Sequence, residues 1–397
     1  MAAARSEIEK LTRKELFSDP PALELDFWQK ALEWAAGKIR DNIGIFGIAY
    51  PAPASVNNVN PLIENNEWTT SFWPGMLWLA WESTGDSCFR EAAEACIPDF
   101  RARLDKRIAV ETHDLGFLYT LACVAPWRLT GNCLAKETAL KAADLLMERF
   151  FEKAGIIQAW GNLNDARQRG RIIIDCAMNL PLLFWASEES GRSAYREAAE
   201  KHLHQANRFL IREDWSSYHT FFFDTETGAP VRGNTAQGFS DASCWARGQA
   251  WGIYGNALSY RYIKDSELIR CAKGLASYFL NRLGDDLVSY WDLVFTDGTE
   301  ERDSSAAAIA ACGLLELSAA LPPSDPDRLL YKNAALHITA SLASSYTSAA
   351  LPESTGLLLH GVYSKPDKKG VDECTSWGDY FFVEALVRIL KEWETYW

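Results

Sequence analysis

Apolar residues recur at helical spacing along most of this chain. Twelve segments with that spacing predict helices, at positions 27–40, 69–82, 86–106, 113–129, 132–151, 175–189, 192–211, 245–263, 266–281, 302–319, 327–345 and 377–393. Two other segments, 217–224 and 286–296, are rich in β-forming residues next to turn sequences, and they predict hairpins. The chain is therefore expected to be mainly helical.

The predicted helices alternate in character and in the length of their connections. Segment 192–211 has apolar residues on one face and charged residues elsewhere, as an outer helix does, whereas 113–129 and 175–189 are apolar nearly all round. Short turns at 84–86, 130–132 and 190–192 alternate with mostly longer connections. This alternation predicts an all-α fold, an (α/α)6 barrel of six helical hairpins with small β-hairpins in the active-site loops. We expect residues 1–25 to form an N-terminal leader and 26–397 a single barrel domain.

Composition narrows the classes of function. The net charge of −13, with no basic run, argues against a nucleic-acid or membrane-surface partner. The nine cysteines are odd in number and contain no CxxC pair, which indicates reduced thiols and a cytoplasmic protein. The first 17 residues lack the continuous apolar region of a secretory signal. Sixteen tryptophans are unusually many, and their broad faces suit stacking on sugar or planar rings.

Two carboxylates stand at the starts of predicted inner helices. Asp175 lies inside the apolar run 172–185, where an ionised carboxylate needs partners, a proton or a wet cavity. Asp114 begins the neighbouring inner helix. Each residue has two readings, as a helix cap or as a general acid or base. In a barrel of this kind the long loops and the N-termini of the inner helices gather at one mouth, where functional residues are expected.

Other polar residues near that mouth are assigned more simply. Asp303, followed by two serines, is expected to be a cap, Asp292 to be structural, and His202 and His204 to be solvated on an outer helix. The pair of His113 and Asp114 suggests a metal site, but further ligands at metal-site spacing are missing, so no metal is predicted. Four tryptophans are candidates because of their position beside the carboxylates: Trp68, Trp160, Trp245 and Trp251.

Eight motifs, in order along the chain from about residue 27 to the C-terminus, resemble those of the unsaturated glucuronyl hydrolases, glycoside hydrolase family 88. They are HDLGFLY (113–119), IQAWG (157–161), GRIIIDC (170–176), SSYHT (216–220), TAQG (235–238), WARGQAWGIYG (245–255), RDSSA (302–306) and WGDY (377–380). The resemblance implies an (α/α)6 barrel. It also implies an enzyme that removes a 4,5-unsaturated glucuronic acid from the non-reducing end of oligosaccharides made by polysaccharide lyases, by hydration of the C4=C5 vinyl ether.

The resemblance also implies roles for individual residues. Asp175 would be the general acid/base, and Asp114 would position the substrate or stabilise developing positive charge. The other implied substrate-binding residues are Trp68, Trp160 and Trp251 on the sugar rings, and His113, His219, Gln237 and Arg247 on hydroxyls and the carboxylate. No cofactor is implied, and a monomer or homodimer is expected.

One loop, residues 363–370, departs from the family pattern. Ser364 and Lys369 partly match a sulfate-binding pattern, but Asp367 adds an opposing charge, and a solvated lysine-rich turn is the alternative. Two other functions are also compatible with a barrel of this type. One is a related carbohydrate enzyme, such as an unsaturated rhamnogalacturonyl hydrolase or a sugar epimerase. The other is a non-catalytic sugar-binding barrel. The few histidines argue against the epimerase, and the presence of both aspartates argues against the binding barrel.

Overall fold

The computed structural model describes residues 5–397, and its main elements are helices. In chain order these are α1 (Leu25–Phe46), α2 (Phe72–Thr84), α3 (Ser87–Asp105), α4 (Leu115–Tyr119), α5 (Ala125–Thr130), α6 (Cys133–Met147), α7 (Cys176–Asn179), α8 (Pro181–Ser190), α9 (Ser193–Leu210), α10 (Ala246–Ile263), α11 (Ser266–Leu280), α12 (Ser304–Ala320), α13 (Arg328–Ser345) and α14 (Ser376–Leu390). Each of the twelve predicted segments contains helix, so this part of the prediction is confirmed.

The strands are short and antiparallel. They are β1 (Tyr50–Pro51), β2 (Leu62–Ile63), β3 (Phe150–Phe151), β4 (Ile156–Ile157), β5 (Arg171–Ile173), β6 (Thr220–Phe223), β7 (Pro230–Asn234), β8 (Gly361–Ser364) and β9 (Lys369–Glu373). β5, β6 and β7 form a three-stranded sheet in that order, with Ile172 opposite Phe221, and β1–β2, β3–β4 and β8–β9 are pairs. The hairpin predicted at 217–224 is found as β6–β7.

The prediction of a hairpin at 286–296 is wrong. Tyr290 and Asp292 make only isolated bridges, to Arg302 and Trp245 respectively, and no strand forms. Two predicted helices are also interrupted. Segment 113–129 contains a π-helical turn, Thr120–Val124, between α4 and α5, and segment 175–189 divides at Leu180. Pro126 and Pro181 follow these breaks, where a residue without a backbone N–H is tolerated in the first turn of a new helix.

Contacts between helices form a closed cycle. α2 contacts the π-helical turn that joins α4 to α5, α4 contacts α7, α7 contacts α10, α10 contacts α12, α12 contacts α14, and α14 returns to α2. The remaining long helices, α1, α3, α6, α9, α11 and α13, pack outside this ring. The α2–α3, α5–α6 and α8–α9 turns contain Gly85, Gly131 and Gly191 in the left-handed conformation, which ends a helix without a Cβ penalty.

The predicted leader lies against the outer helices in its described part. The 3₁₀ turn Lys14–Phe17 contacts α13, and Phe17 is buried. Arg5 forms an ion pair with Glu267 of α11 at 3.0 Å. Within residues 5–397, none of the helices combines the length and the apolar character that crossing a bilayer requires.

Candidate active site

A cavity of about 310 Å³ opens where the N-termini of the inner helices meet. We call it the central cavity. Its lining residues are Trp68, Asp114, Trp160, Ile173, Asp175, His219, Ala236, Gln237, Trp245, Arg247, Trp251, Tyr363 and Asp367. Nine of the candidate residues named from the sequence, Trp245 included, are in this set. A larger and more open groove of about 1020 Å³ lies beside α9 and α11, and none of the predicted site residues lines it.

Neither candidate carboxylate caps its helix. Asp114 and Asp175 occupy the positions before α4 and α7, but the side chain of neither accepts a hydrogen bond from the first turn. Asp175 is 9% exposed, and its Oδ1 has no hydrogen-bond partner. Asp114 accepts a bond from Thr112 Oγ1 at 2.7 Å and lies 3.4 Å from His113 Nε2. The capping alternative therefore does not account for either residue.

Close packing between α4 and α7 brings the two carboxylates together. A Cβ on Gly116 would lie 2.3 Å from the backbone of Asn179, so only glycine allows this approach. The Asn179 side chain accepts a hydrogen bond from Phe117 N at 2.7 Å, which ties the two helix starts together. As a result, donor atoms of His113, Asp114 and Asp175 all lie within 4.8 Å of one another.

The two carboxyl groups are pushed to opposite protonation states. Burial, reinforced by the charge of Asp114, raises the pKa of Asp175 to about 7. Burial also acts on Asp114, but His113 and the hydrogen bond from Thr112 outweigh it and lower the pKa of Asp114 below its usual value. Near neutral pH the site therefore holds an ionised carboxylate, Asp114, beside a carboxyl group, Asp175, that can both hold and release a proton. Such a division suits general acid–base chemistry.

The same three residues form the one cluster of metal-ligand type found within residues 5–397. Its donors are one imidazole and two carboxylates, and His113 has no hydrogen-bond partner on either ring nitrogen. A cation would compete with the proton on Asp175, because a carboxyl group must be ionised to ligate. The absence of a metal requirement therefore remains a prediction from the sequence.

The tryptophans differ in how they meet the cavity. Trp68 is partly exposed, donates a hydrogen bond to Tyr363 Oη at 3.0 Å and stacks on Trp377. Trp160 is partly exposed and faces the guanidinium of Arg171 at 4.7 Å. Trp251 is only 1% exposed and packs against Phe117. Trp68 and Trp160 therefore offer ring faces to a ligand, whereas Trp251 forms part of the buried base of the central cavity.

Arg247 is held rigidly by the surrounding protein. Its Nη1 donates to Val362 O and Asp303 Oδ2, and its Nη2 donates to Tyr363 O at 2.7 Å and Gln237 Oε1 at 3.0 Å. The guanidinium also lies between the rings of Trp245 and Trp377, at 4.3 and 4.8 Å from their centroids. These bonds occupy four of the five donors, so Arg247 supplies positive charge and orients Gln237.

Two histidine predictions have different outcomes. His219 lines the cavity, and its Nδ1 accepts hydrogen bonds from the backbone amides of Ala236 and Gln237, both at 3.1 Å. His202 was expected to be solvated, but it is fully buried, and its Nδ1 accepts a bond from Ile157 N at 2.8 Å. β4 packs against α9, the helix that carries His202, and a helical pattern alone does not reveal this contact.

The predicted sulfate-binding residues lie outside the lining of the central cavity. Ser364 is buried and donates to Asp367 Oδ2 at 2.6 Å, and Lys369 Nζ lies over the Tyr363 ring at 4.4 Å. The residues of this hairpin that line the cavity are Tyr363 and Asp367, which were not among the predicted site residues. The charge of Asp367 was visible in the sequence, but the direction of its side chain was not. The expected cap is confirmed, since Asp303 accepts bonds from the first turn of α12.

A ring of helices around a tryptophan-walled cavity, with an ionised carboxylate beside a carboxyl group whose pKa is raised to about 7, is typical of a carbohydrate hydrolase. Comparison with known proteins makes this assignment specific. The model of Glycosyl Hydrolase Family 88 matches residues 53–375. This chain belongs to glycosyl hydrolase family 88 and is a glycoside hydrolase, as the motifs predicted.

Individual relatives agree with this assignment over nearly the whole chain. The unsaturated chondroitin disaccharide hydrolase of Streptococcus pyogenes serotype M1 is 47% identical over 391 residues, which cover 98% of each chain. The crystal structure of the unsaturated glucuronyl hydrolase from Streptococcus agalactiae matches with a TM-score of 0.97 and 47% identity, covering 100% of both chains. A structure of a variant of that enzyme with dGlcA-GalNAc6S bound matches with a TM-score of 0.89 and 44% identity, also covering 100% of both chains.

Proposed function

We propose that this enzyme removes a 4,5-unsaturated glucuronic acid from the non-reducing end of lyase-generated oligosaccharides. The observation that carries the proposal is the pair of carboxyl groups with opposite protonation preferences, Asp175 with a pKa of about 7 and Asp114 with a lowered pKa. The names of the relatives support the substrate class. Hydration of a vinyl ether needs one group that first gives a proton to carbon and then takes one from water, and a carboxyl with a pKa near neutrality can do both.

The reaction can be followed by its protons. The Asp175 carboxyl group gives its proton to C4, and the positive charge that develops at C5 and the ring oxygen is stabilised by ionised Asp114. Water then adds to C5 and returns a proton to Asp175, which regenerates the acid. The resulting hemiketal opens to a ketone at C5, and the shortened saccharide leaves from C1. General acid–base catalysis of this kind contributes about 10²–10⁴-fold.

The uronate carboxylate has suitable partners among the residues that line the cavity. Gln237 Oε1 is occupied by Arg247, so the Gln237 amide group is left to donate toward the ligand. The positive charge of Arg247 lies directly behind it and is 1% exposed, where water screens it little. This local charge offsets the repulsion of an anionic substrate by a protein of net charge −13.

The same site argues against a sulfate near the hairpin of β8 and β9. Asp367 lines the cavity and accepts a hydrogen bond from the Ser364 hydroxyl, while the Lys369 ammonium lies over the Tyr363 ring. We therefore propose a preference for substrates without a sulfate at this point. Asp367→Ser should raise kcat/KM for a 6-sulfated disaccharide by about tenfold relative to the unsulfated one, as expected for removing one like-charge contact. An unchanged ratio would contradict this preference.

We further propose that the architecture is an (α/α)6 barrel and that the enzyme is cytoplasmic. The closed cycle of six inner helical units, each with an outer helix, supports the barrel. All nine cysteines are free, and six of them are buried, which supports a reducing compartment.

The test of the activity is the loss of ultraviolet absorbance that accompanies disappearance of the conjugated C4=C5 bond. Unsaturated disaccharides from chondroitin, hyaluronan and heparin, together with a gellan product, form the panel. We expect turnover of at least one of them by the wild-type enzyme and none by Asp175→Asn, with the same helical circular dichroism for both proteins. Constant absorbance with every member of the panel would refute the proposed function.

A further inference from the structure

Asp292 is fully buried outside the central cavity, yet it organises one of the cavity walls. Its Oδ2 accepts hydrogen bonds from Phe239 N at 2.9 Å and Ser243 Oγ at 2.7 Å. Its Oδ1 accepts bonds from Cys244 N at 3.2 Å and Val294 N at 3.1 Å. Three of these four donors belong to residues 235–244, which we call the amide loop. One carboxylate therefore holds that loop at two separate points.

The amide loop in turn determines which nitrogen of His219 carries a proton. The backbone amides of Ala236 and Gln237 both point at His219 Nδ1, at 3.1 Å. A backbone N–H can only donate, so Nδ1 must be the acceptor nitrogen and the proton must lie on Nε2. Burial, together with the charges of Arg247 and Arg171, lowers the pKa of His219, and Trp245 packs against the ring at 4.3 Å, so the surroundings favour the neutral imidazole.

We infer that Asp292 is a positioning residue: by holding the amide loop, it keeps His219 as an Nε2–H hydrogen-bond donor toward the central cavity. In this tautomer His219 donates to an oxygen of the ligand and takes no part in proton transfer. The backbone of His219, directly before β6, also supports the acid, because His219 O accepts a bond from Ile174 N at 3.0 Å, one residue before Asp175. A shift of the amide loop therefore changes the tautomer of His219 and the geometry next to Asp175.

The test measures the tautomer directly. In enzyme labelled with ¹⁵N-histidine, the ring nitrogens of His219 are assigned by comparison with His219→Gln. We expect Nδ1 of the wild-type enzyme to be unprotonated and Nε2 to be protonated. In Asp292→Asn, two of the four donors face an NH₂ group whichever way the amide is turned, so we expect signals averaged between tautomers. We also expect a fall in kcat/KM of about 10- to 100-fold, since small displacements in a site have effects of that size.

A matched control separates positioning from general loss of stability. Asp379 is also a buried aspartate that accepts a backbone amide bond, from Leu358 N at 2.8 Å, and it does not line the central cavity. Asp379→Asn should leave the His219 signals and kcat/KM unchanged whichever way its melting temperature moves. Ser243→Ala removes a single donor from Asp292 and should shift the same signals less than Asp292→Asn does.

Two results would overturn the inference. One is a wild-type His219 that is protonated on Nδ1 or averaged between tautomers. The other is an Asp292→Asn enzyme whose His219 signals match those of the wild type. If Asp292→Asn does not fold, the wild-type and Ser243→Ala spectra decide the question. The tautomer measurement does not rest on the proposed substrate, so it stands or falls separately from the absorbance assay.

Discussion

Replacing the buried acid should make this enzyme more stable while it abolishes activity. Asp175 has a pKa of about 7 in the folded protein and 3.8 as an ordinary aspartate, mainly because burial penalises its charge. Above pH 7 the folded protein must hold that charge, whereas the unfolded chain holds it in water. Asp175→Asn keeps the size of the side chain and removes the charge. The cost of ionising the buried group then disappears.

The size and pH dependence of the effect follow from the two pKa values. The folded state binds the proton more tightly, so the wild-type protein loses stability as pH rises from about 4 to about 7 and no further above that. Each pH unit in that interval corresponds to about 1.4 kcal/mol. The variant should therefore equal the wild type in free energy of unfolding near pH 4. It should exceed the wild type by up to about 4 kcal/mol at pH 8.

The assay compares free energies of unfolding from urea titrations at several pH values, beside turnover of an unsaturated disaccharide. Asp114→Asn is the matched control, for which we expect a change of opposite sign in the free energy of unfolding. The pKa of Asp114 is lowered by His113 and Thr112, so its charge is stabilising in the folded state at neutral pH and its loss should destabilise the protein there. A difference between Asp175→Asn and wild type that does not grow with pH would refute the burial argument. Retained turnover by Asp175→Asn would refute its role as the acid.

Two further substitutions test how the site is held together. Gly116→Ala places a methyl group 2.3 Å from the Asn179 backbone. We expect the free energy of unfolding, measured by urea titration, to fall by about 1–3 kcal/mol. We also expect a lower kcat, because Asp114 and Asp175 move apart. Gly37→Ala is its control, because at this helical site the added carbon meets nothing within 4 Å beyond its own stretch of helix backbone. Arg247→Lys keeps the charge but cannot reproduce the four bonds of the guanidinium; steady-state kinetics should show kcat/KM at least about tenfold lower, and an unchanged value would show that charge alone suffices.

The sequence by itself was enough for the helical segments, the class of enzyme and most of the residues that line the central cavity. Helical periodicity is a local property, and glycines such as Gly85 and Gly131 end helices through their own backbone conformation. The two carboxylates could be recognised because each interrupts apolar sequence at a helix start. The breaks before Pro126 and Pro181 were also open to prediction, since proline removes a backbone donor.

Only the tertiary structure decided what depends on residues distant in the chain. The strand character of Arg171–Ile173 comes from pairing with Thr220–Phe223, about fifty residues later, and an apolar run alone does not distinguish strand from helix. Segment 286–296 has strand-like residues but pairs only at isolated bridges, to Trp245 and Arg302, while the Asp292 side chain binds the amide loop. The protonation of Asp175 also depends on residues that are distant in the chain. Its identity is written in the sequence, but its raised pKa arises from burial and from the nearby charge of Asp114, which the close approach of Gly116 to Asn179 brings next to it.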